Sequence, residues 1–248
     1  MPGNVRAHVP GVLPDWECDG TVLGNLRGRL IVSCQAREGE PFRNPEAQAW
    51  FAQAAVEGGA AGIRTQGPDH VRAIRAAVGV PVIGIRKMAA SDGRRLITPT
   101  FESARELVEA GAHMIALDVT ARGRCFGALD RLRRIRDELN VPVLADIATA
   151  DEALVASEAG AAAVLSTMRG YTDETAHIRG FDLEFIHDLV RQSPVPVIAE
   201  GMIETPEQAQ AAIEAGAYAV VVGSAITRPA TIAHRFTAAL QNRNISRS

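Results

Sequence analysis

Val141-Pro142-Val143-Leu144-Ala145-Asp146, then Gly160-Ala161-Ala162-Ala163-Val164-Leu165-Ser166, then Val195-Pro196-Val197-Ile198-Ala199-Glu200: these three pieces of the chain decide its fold. Each opens on Val-Pro-Val or Gly-Ala, continues as an apolar run of strand length and ends on a polar residue. The same punctuation recurs on both sides. Gly59-Ala60 precedes a run at 61–65, Val80-Pro81-Val82 one at 82–85, Gly111-Ala112 one at 113–118, and Gly216-Ala217 one at 218–223. With 30–33 upstream, eight strands are predicted. Their apolar runs show no polar alternation, which marks parallel strands covered on both faces.

Helices are expected between them, at 45–57, 103–110, 129–139, 149–159, 182–192 and 205–215. Thr149 and Thr205 each stand three residues before Glu152 or Gln208, the spacing of a capping box. Pro206 takes the first helical position, where its missing N–H is no loss. Gly after a helix supplies the left-handed residue that stops it, and Pro at a strand start removes no essential ladder bond. Short connections and right-handed crossovers close eight such units into a (β/α)₈ barrel. The rival, an open doubly wound sheet, would carry a glycine-rich fingerprint after its first strand. Here that strand runs into Ser33-Cys34-Gln35-Ala36-Arg37. Residues 1–28 read as a loosely patterned extension, helical near 20–27, and 29–248 as one barrel domain.

Composition narrows the function. The 248 residues are 47% hydrophobic with a net charge of −3, so nothing calls for nucleic acid or a membrane surface. No apolar run approaches about 18 residues, the length of a membrane span. Met1-Pro2-Gly3-Asn4 does not open a basic and apolar leader, so no signal peptide is expected. Cys18, Cys34 and Cys125 are widely spaced, which fits a reducing cytoplasm better than a disulfide framework. The six histidines lack metal-ligand spacing, so no metal is expected; His113 and His187 read as structural and surface residues.

A barrel places its chemistry at the C-terminal strand ends. Those ends are Gln35, Arg64-Thr65-Gln66, Arg86-Lys87, Asp118, Asp146, Ser166-Thr167, Glu200-Gly201 and Gly223-Ser224. Any one could be a helix cap or a loop charge, and Lys87 and Glu200 could be no more than an ion pair across the rim. All eight being incidental is the poorer account. Gly201, Gly223 and Ser224 lie on the last two loops, which in barrels present backbone N–H groups to phosphate, and Arg228 follows within reach. A lysine and a glutamate beside a phosphate site suit proton transfer at carbon. Lys87 is the candidate base, its neutral form favoured by burial and by Arg64 or Arg86, and Glu200 the candidate acid or base at a sugar oxygen. Residue type leaves open an isomerase, an epimerase, or an aldolase with a Schiff base on Lys87.

Several segments in this order resemble the N-acetylmannosamine-6-phosphate 2-epimerase family: Leu30-Ile31-Val32-Ser33-Cys34-Gln35-Ala36, Ile83-Gly84-Ile85-Arg86-Lys87, Ile97-Thr98-Pro99-Thr100, Leu117-Asp118-Val119-Thr120-Ala121-Arg122, Ala145-Asp146-Ile147-Ala148-Thr149, Gly170-Tyr171-Thr172, Ala199-Glu200-Gly201 and Val222-Gly223-Ser224-Ala225-Ile226-Thr227-Arg228. The resemblance spans about residues 26–240 and implies a phosphate-binding barrel that interconverts N-acetylmannosamine 6-phosphate and N-acetylglucosamine 6-phosphate. It implies catalytic roles for Lys87 and Glu200, and substrate contacts at Gln35, Arg64, Asp146 and Arg228. It further implies a phosphate seat at Gly201, Gly223, Ser224 and Arg228, no metal or organic cofactor, and a homodimer. Another phosphosugar isomerase or aldolase, or a non-catalytic phosphosugar sensor, remains the alternative. Arg169 stands where the family commonly has Ser, at a position expected to touch the rim near the sugar or to face solvent.

Overall fold

The computed structural model describes residues 22–90 and 93–241. Eight parallel strands close a barrel in which each strand pairs with its two neighbours. They are β1 (Leu30–Cys34), β2 (Gly62–Gln66), β3 (Val82–Ile85), β6 (Met114–Asp118), β7 (Val143–Asp146), β8 (Ala163–Leu165), β9 (Val197–Glu200) and β10 (Ala219–Val222). The ring is closed where Leu30–Val32 of β1 run in register with Val220–Val222 of β10. All eight predicted strands are present, with ends shifted by a residue or two.

The recurring punctuation works as its chemistry requires. Gly59, Gly111, Gly160 and Gly216 all have φ between 96° and 101°. After each, an alanine N–H donates to a carbonyl five residues back, closing the helix over a left-handed residue (Ala60 to Ala55, Ala112 to Leu107, Ala161 to Ala156, Ala217 to Ala212). Those alanines are buried, so a larger side chain would separate helix from barrel. The prolines of Val-Pro-Val offer only carbonyls to the ladder: Pro81, Pro142 and Pro196 accept from Ile63, Ile115 and Val164.

The helices α1 (Pro45–Glu57), α2 (Pro68–Ala77), α3 (Phe101–Glu109), α5 (Ala128–Leu139), α6 (Ala150–Glu158), α7 (Leu183–Gln192) and α8 (Pro206–Glu214) connect successive strands around the barrel. α2 was not read from the sequence. Its amphipathic pattern is short, with only Val71 and Ile74 buried, and it starts on Pro68 directly after a strand. The capping boxes at Thr149 and Thr205 form, and Thr100 with Ser103 adds a third. Thr120 caps a short α4 (Ala121–Cys125), and α9 (Ser224–Thr227) precedes α10 (Pro229–Gln241).

Side chains on each strand alternate between two apolar layers. Val32, Ile63, Ile115, Val143, Val164 and Val197 pack outward under the helices. Ile31, Ile83, Ile85, Met114, Ala116, Leu144, Leu165, Ile198 and Val221 fill the barrel. Leu26 belongs to this inner cluster and is fully buried, with Val22 and Leu23 packed against it. Within the helix read near residues 20–27, the described part holds a single 3₁₀ turn, Gly24–Leu26; residues 20–21 and the rest of the extension before them lie outside the described residues.

Continuing each strand's inward alternation past the inner cluster reaches Asp118, Asp146, Thr167, Glu200 and Gly223, and reaches Lys87 after Ile83 and Ile85. Lys87, expected at the end of the third strand, lies two residues past β3. It begins β4 (Lys87–Ala89), which pairs antiparallel with β5 (Arg95–Ile97). The hairpin is hidden in the sequence because each arm has three residues and β4 is exposed throughout.

Glu152 ties two of the loops at this end together. Its carboxylate is buried and accepts from the amides of Ala121 (2.7 Å), Ala148 (2.7 Å) and Thr149 (3.2 Å). Glu152→Ala strands those donors in the interior. It is expected to lower stability by about 3 kcal/mol, read as a reduced midpoint of urea unfolding with an unchanged slope.

Candidate active site

The polar strand ends converge on one buried guanidinium. Arg64 is 1% exposed. It faces Asp146 two-pronged, with Nη1 2.9 Å from Oδ1 and Nη2 2.7 Å from Oδ2. The same Nη1 donates to Thr167 Oγ1 at 3.1 Å and to Glu200 Oε2. Thr167 completes the cluster, its Oγ1 lying 2.6 Å from Asp146 Oδ1 and 3.0 Å from Glu200 Oε2. Ser166 holds the glutamate's backbone from below, its hydroxyl donating to Glu200 O at 2.8 Å and accepting from Glu200 N at 2.9 Å. Arg64 Nε and Gln35 Oε1 are buried without a protein partner, while Gln35 Nε2 donates to Ser33 Oγ at 2.7 Å.

These surroundings separate the titrations of the ionisable groups. Burial alone would lower the Arg64 pKa, but Asp146 and Glu200 outweigh it and the group stays charged. Burial drives the Glu200 carboxyl above its usual range, with Asp146 adding to the rise, while Arg64, Thr167 and Lys87 oppose it. The pair is therefore unequal, a firmly charged guanidinium beside a carboxyl within reach of a proton. Lys87 is exposed along the open mouth. Even so its amine falls from 10.5 to about 8, first because surrounding protein displaces water from it and second because Arg64 repels it, against the pull of Glu200 and Asp146. Asp118, next to Asp146 in the strand register, is raised by burial, and its Oδ2 has no protein partner.

The candidate phosphate end lies at β9 and β10. Gly201 has φ 112° and Met202 φ 54°, so the chain turns sharply just past Glu200. Gly223 precedes α9 and its carbonyl accepts from Ile226 N and Thr227 N, both at 2.9 Å, which leaves the two amides before them, on Ser224 and Ala225, outside the helix's own bonding. A side chain on Gly223 would come within 3.3 Å of Ser33 Cβ. Thr227 ties this turn to β1 by donating to Ser33 O at 3.0 Å. Arg228 is half-buried, with Nε 3.7 Å from Glu40 Oε1.

Comparison with known proteins places this arrangement. Residues 48–242 match the family described as "Putative N-acetylmannosamine-6-phosphate epimerase". The chain belongs to the N-acetylmannosamine-6-phosphate epimerase family. Two relatives named "Putative N-acetylmannosamine-6-phosphate 2-epimerase" come from Cutibacterium acnes and Caldanaerobacter subterraneus. The first is 44% identical over 89% of this chain and 97% of its own. The second is 42% identical over 91% and 96%. The solved N-acetylmannosamine-6-phosphate 2-epimerase from Clostridium perfringens superposes with a TM-score of 0.82 at 38% identity, covering 87% of this chain and 95% of that one.

Within this family member, the sequence-named residues divide by contact. Asp146 and Glu200 both bond Arg64. Lys87 is bonded to none of them but feels Arg64, Glu200, Asp146 and Arg228 electrostatically. The Lys87–Glu200 ion pair considered from the sequence does not form; Arg64 takes the glutamate instead. Thr167 was named only as a strand end, yet it links both carboxylates. Arg169 turns toward α7, where it pairs with Asp182 at 3.0 Å, donates to Ala148 O and stacks 4.2 Å over Phe185. It therefore braces the loop after β8 rather than facing solvent, and it shares a small cleft with Glu200 and Gly201 at the rim. Among the described residues no His, Cys, Asp or Glu cluster of metal-binding form occurs. An open crevice of about 540 Å³ lies beside the barrel between this loop and α7, lined by His177, Arg179 and Phe185 among others. It includes none of the inward strand-end residues.

Arg64→Met leaves Asp146 and Glu200 buried without their counter-ion, an expected loss of about 3–5 kcal/mol. The deficit relative to the parent should narrow as the medium is acidified. A buried carboxyl that has lost its cation binds a proton more tightly folded than unfolded, so falling pH favours the folded variant. Urea unfolding at several pH values reads both effects.

Proposed function

We propose that the protein is a 2-epimerase that interconverts N-acetylmannosamine 6-phosphate and N-acetylglucosamine 6-phosphate, with Lys87 moving the proton on C2. The supporting observation is a lysine amine lowered to about 8 at the mouth of a barrel whose neighbouring strands carry a carboxyl of raised pKa and a buried, fully charged arginine. In the opened sugar C2 lies next to the C1 aldehyde. Neutral Lys87 takes the C2 proton, and the electron pair of that bond moves into the carbonyl to give an enolate. Lys87, now an ammonium, gives a proton back to the opposite face of C2, which the turned enolate presents, and the aldehyde is restored with inverted configuration. No electrons are gained or lost, so the step calls for no redox cofactor.

Glu200, protonated when needed, serves ring opening and the enolate oxygen as acid and base. Arg64, itself fixed by Asp146, holds it in place; Arg64 and Asp146 line the sugar site, and the unpartnered amide oxygen of Gln35 is available to a substrate hydroxyl or N–H. Gly201, Gly223, Ser224 and Arg228 form the seat for the phosphate, with Glu40 yielding Arg228 to it.

A homodimer in the cytoplasm belongs to the same reading. Phe236 and Leu240 stand 70% and 65% exposed on α10, none of whose residues is buried, which suits a subunit contact. Cys34 is buried and unpaired and Cys125 exposed and unpaired, as a reducing compartment permits. Among the described residues no helix is long and apolar enough to cross a membrane.

The base must be neutral to act, so kcat/KM is expected to climb tenfold per pH unit below about 8 and level off above it. Lys87→Ala is expected to abolish both turnover and exchange of the C2 proton with deuterated water. Full turnover by that variant would refute the mechanism, and borohydride trapping of a substrate adduct on Lys87 would point to an aldolase.

A further inference from the structure

The hairpin that carries Lys87 is anchored at a residue in an unusual conformation. Thr98 immediately follows β5, is fully buried and has φ 50°. A β-branched residue is a true outlier at positive φ, and standing before Pro99 biases it further toward extended backbone. Such a conformation persists where the surroundings over-determine it, and it clusters at functional sites.

Its hydrogen bonds show what over-determines it. Thr98 N donates to Arg86 O at 2.6 Å, and Arg86 N donates to Thr98 Oγ1 at 3.1 Å. Both backbone groups of Arg86, the residue before Lys87, are thus held by one threonine. The remaining proton of that hydroxyl goes to Ala116 O on β6 at 2.6 Å. One side chain therefore connects the exit of β3, the exit of β5 and the strand that ends at Asp118. Gly or Asn would accept the backbone angle more readily. What they lack is a hydroxyl that accepts from one strand while donating to the other.

We propose that Thr98 is the positioning residue for Lys87, clamping Arg86 through both its amide and its carbonyl so that the lysine leaves the barrel rim in a fixed direction. This rests on the reading of Lys87 as the base. Lys87 pairs with Ile97 of the other hairpin arm and with no barrel strand, so the clamp is what ties its direction to the barrel. A displacement of about 1 Å at a reacting group can cost on the order of a hundredfold in rate, so loss of the clamp should appear in kcat.

The test compares Thr98→Ser, which keeps the hydroxyl, with Thr98→Gly and Thr98→Asn, which tolerate the backbone angle without it. Turnover of N-acetylmannosamine 6-phosphate and C2 proton exchange are measured across the pH range, well below each variant's melting temperature, with Lys87→Ala alongside. Thr98→Ser is expected to stay within about threefold of the parent. Thr98→Gly and Thr98→Asn are expected to lose about tenfold to a hundredfold in kcat, with little change in KM and a displaced midpoint in the pH profile. A folded Thr98→Gly or Thr98→Asn with parental kcat and pH midpoint overturns the proposal, as does a Thr98→Ser that falls as far as they do. If Lys87→Ala is inactive while those variants are normal, only the positioning role fails; if Lys87→Ala is active, the reading of the base fails with it.

Discussion

A charged guanidinium sits in the barrel of this protein with almost no access to water, and the neighbouring groups are arranged around that fact. Taking Arg64 out of water carries a large desolvation cost, which only close, well-directed anions can offset. Asp146 supplies a two-pronged partner from β7, and Glu200 a second from β9. Thr167 fills the remaining angle between them. Three strands and the turn after β8 are thereby joined through one side chain, above an interior that is otherwise aliphatic. The barrel's register brings the anions to the right height, and the guanidinium makes that height matter.

The excess of anions over Arg64 is what gives the site its chemical range. Asp146 alone could neutralise the guanidinium, so Glu200 is held by charge without being fully stabilised as an anion. Lys87 lies on the other side of the balance. It senses the same two carboxylates but also Arg64 and Arg228, and its amine loses its proton more easily than an ordinary lysine. An acid that holds its proton and an amine that sheds one thus arise first from the loss of water around both groups and then from one shared set of charges.

Much of this was legible in the sequence because the barrel writes its geometry in short repeats. Gly-Ala and Val-Pro-Val locate the strand starts, and counting inward from them finds Arg64, Asp146 and Glu200 at their correct heights. The method fails where the chain leaves the repeat. Lys87 lies two residues past β3, on a hairpin with arms too short to show a pattern. Thr98 is unremarkable as a letter, since a backbone angle has no sequence signature when the residue is not glycine. Thr167 belongs to a 3₁₀ turn after β8, so it looked like a loop residue. Arg169 was judged by its position along the chain, whereas its partners, Asp182 and Phe185, come from the next helix.

The packing beneath the site has its own consequence. Ile31, Met114, Leu144 and Ile198 fill the barrel, and Leu26 stops its far end. A filled barrel is not a pipe. Whatever enters by the rim leaves by the rim, and a sugar and its mirror-configured partner at one carbon must take turns at the same doorway. Traffic through this protein is accordingly set by the ratio of the two sugars outside, with each one acting as the other's competitor.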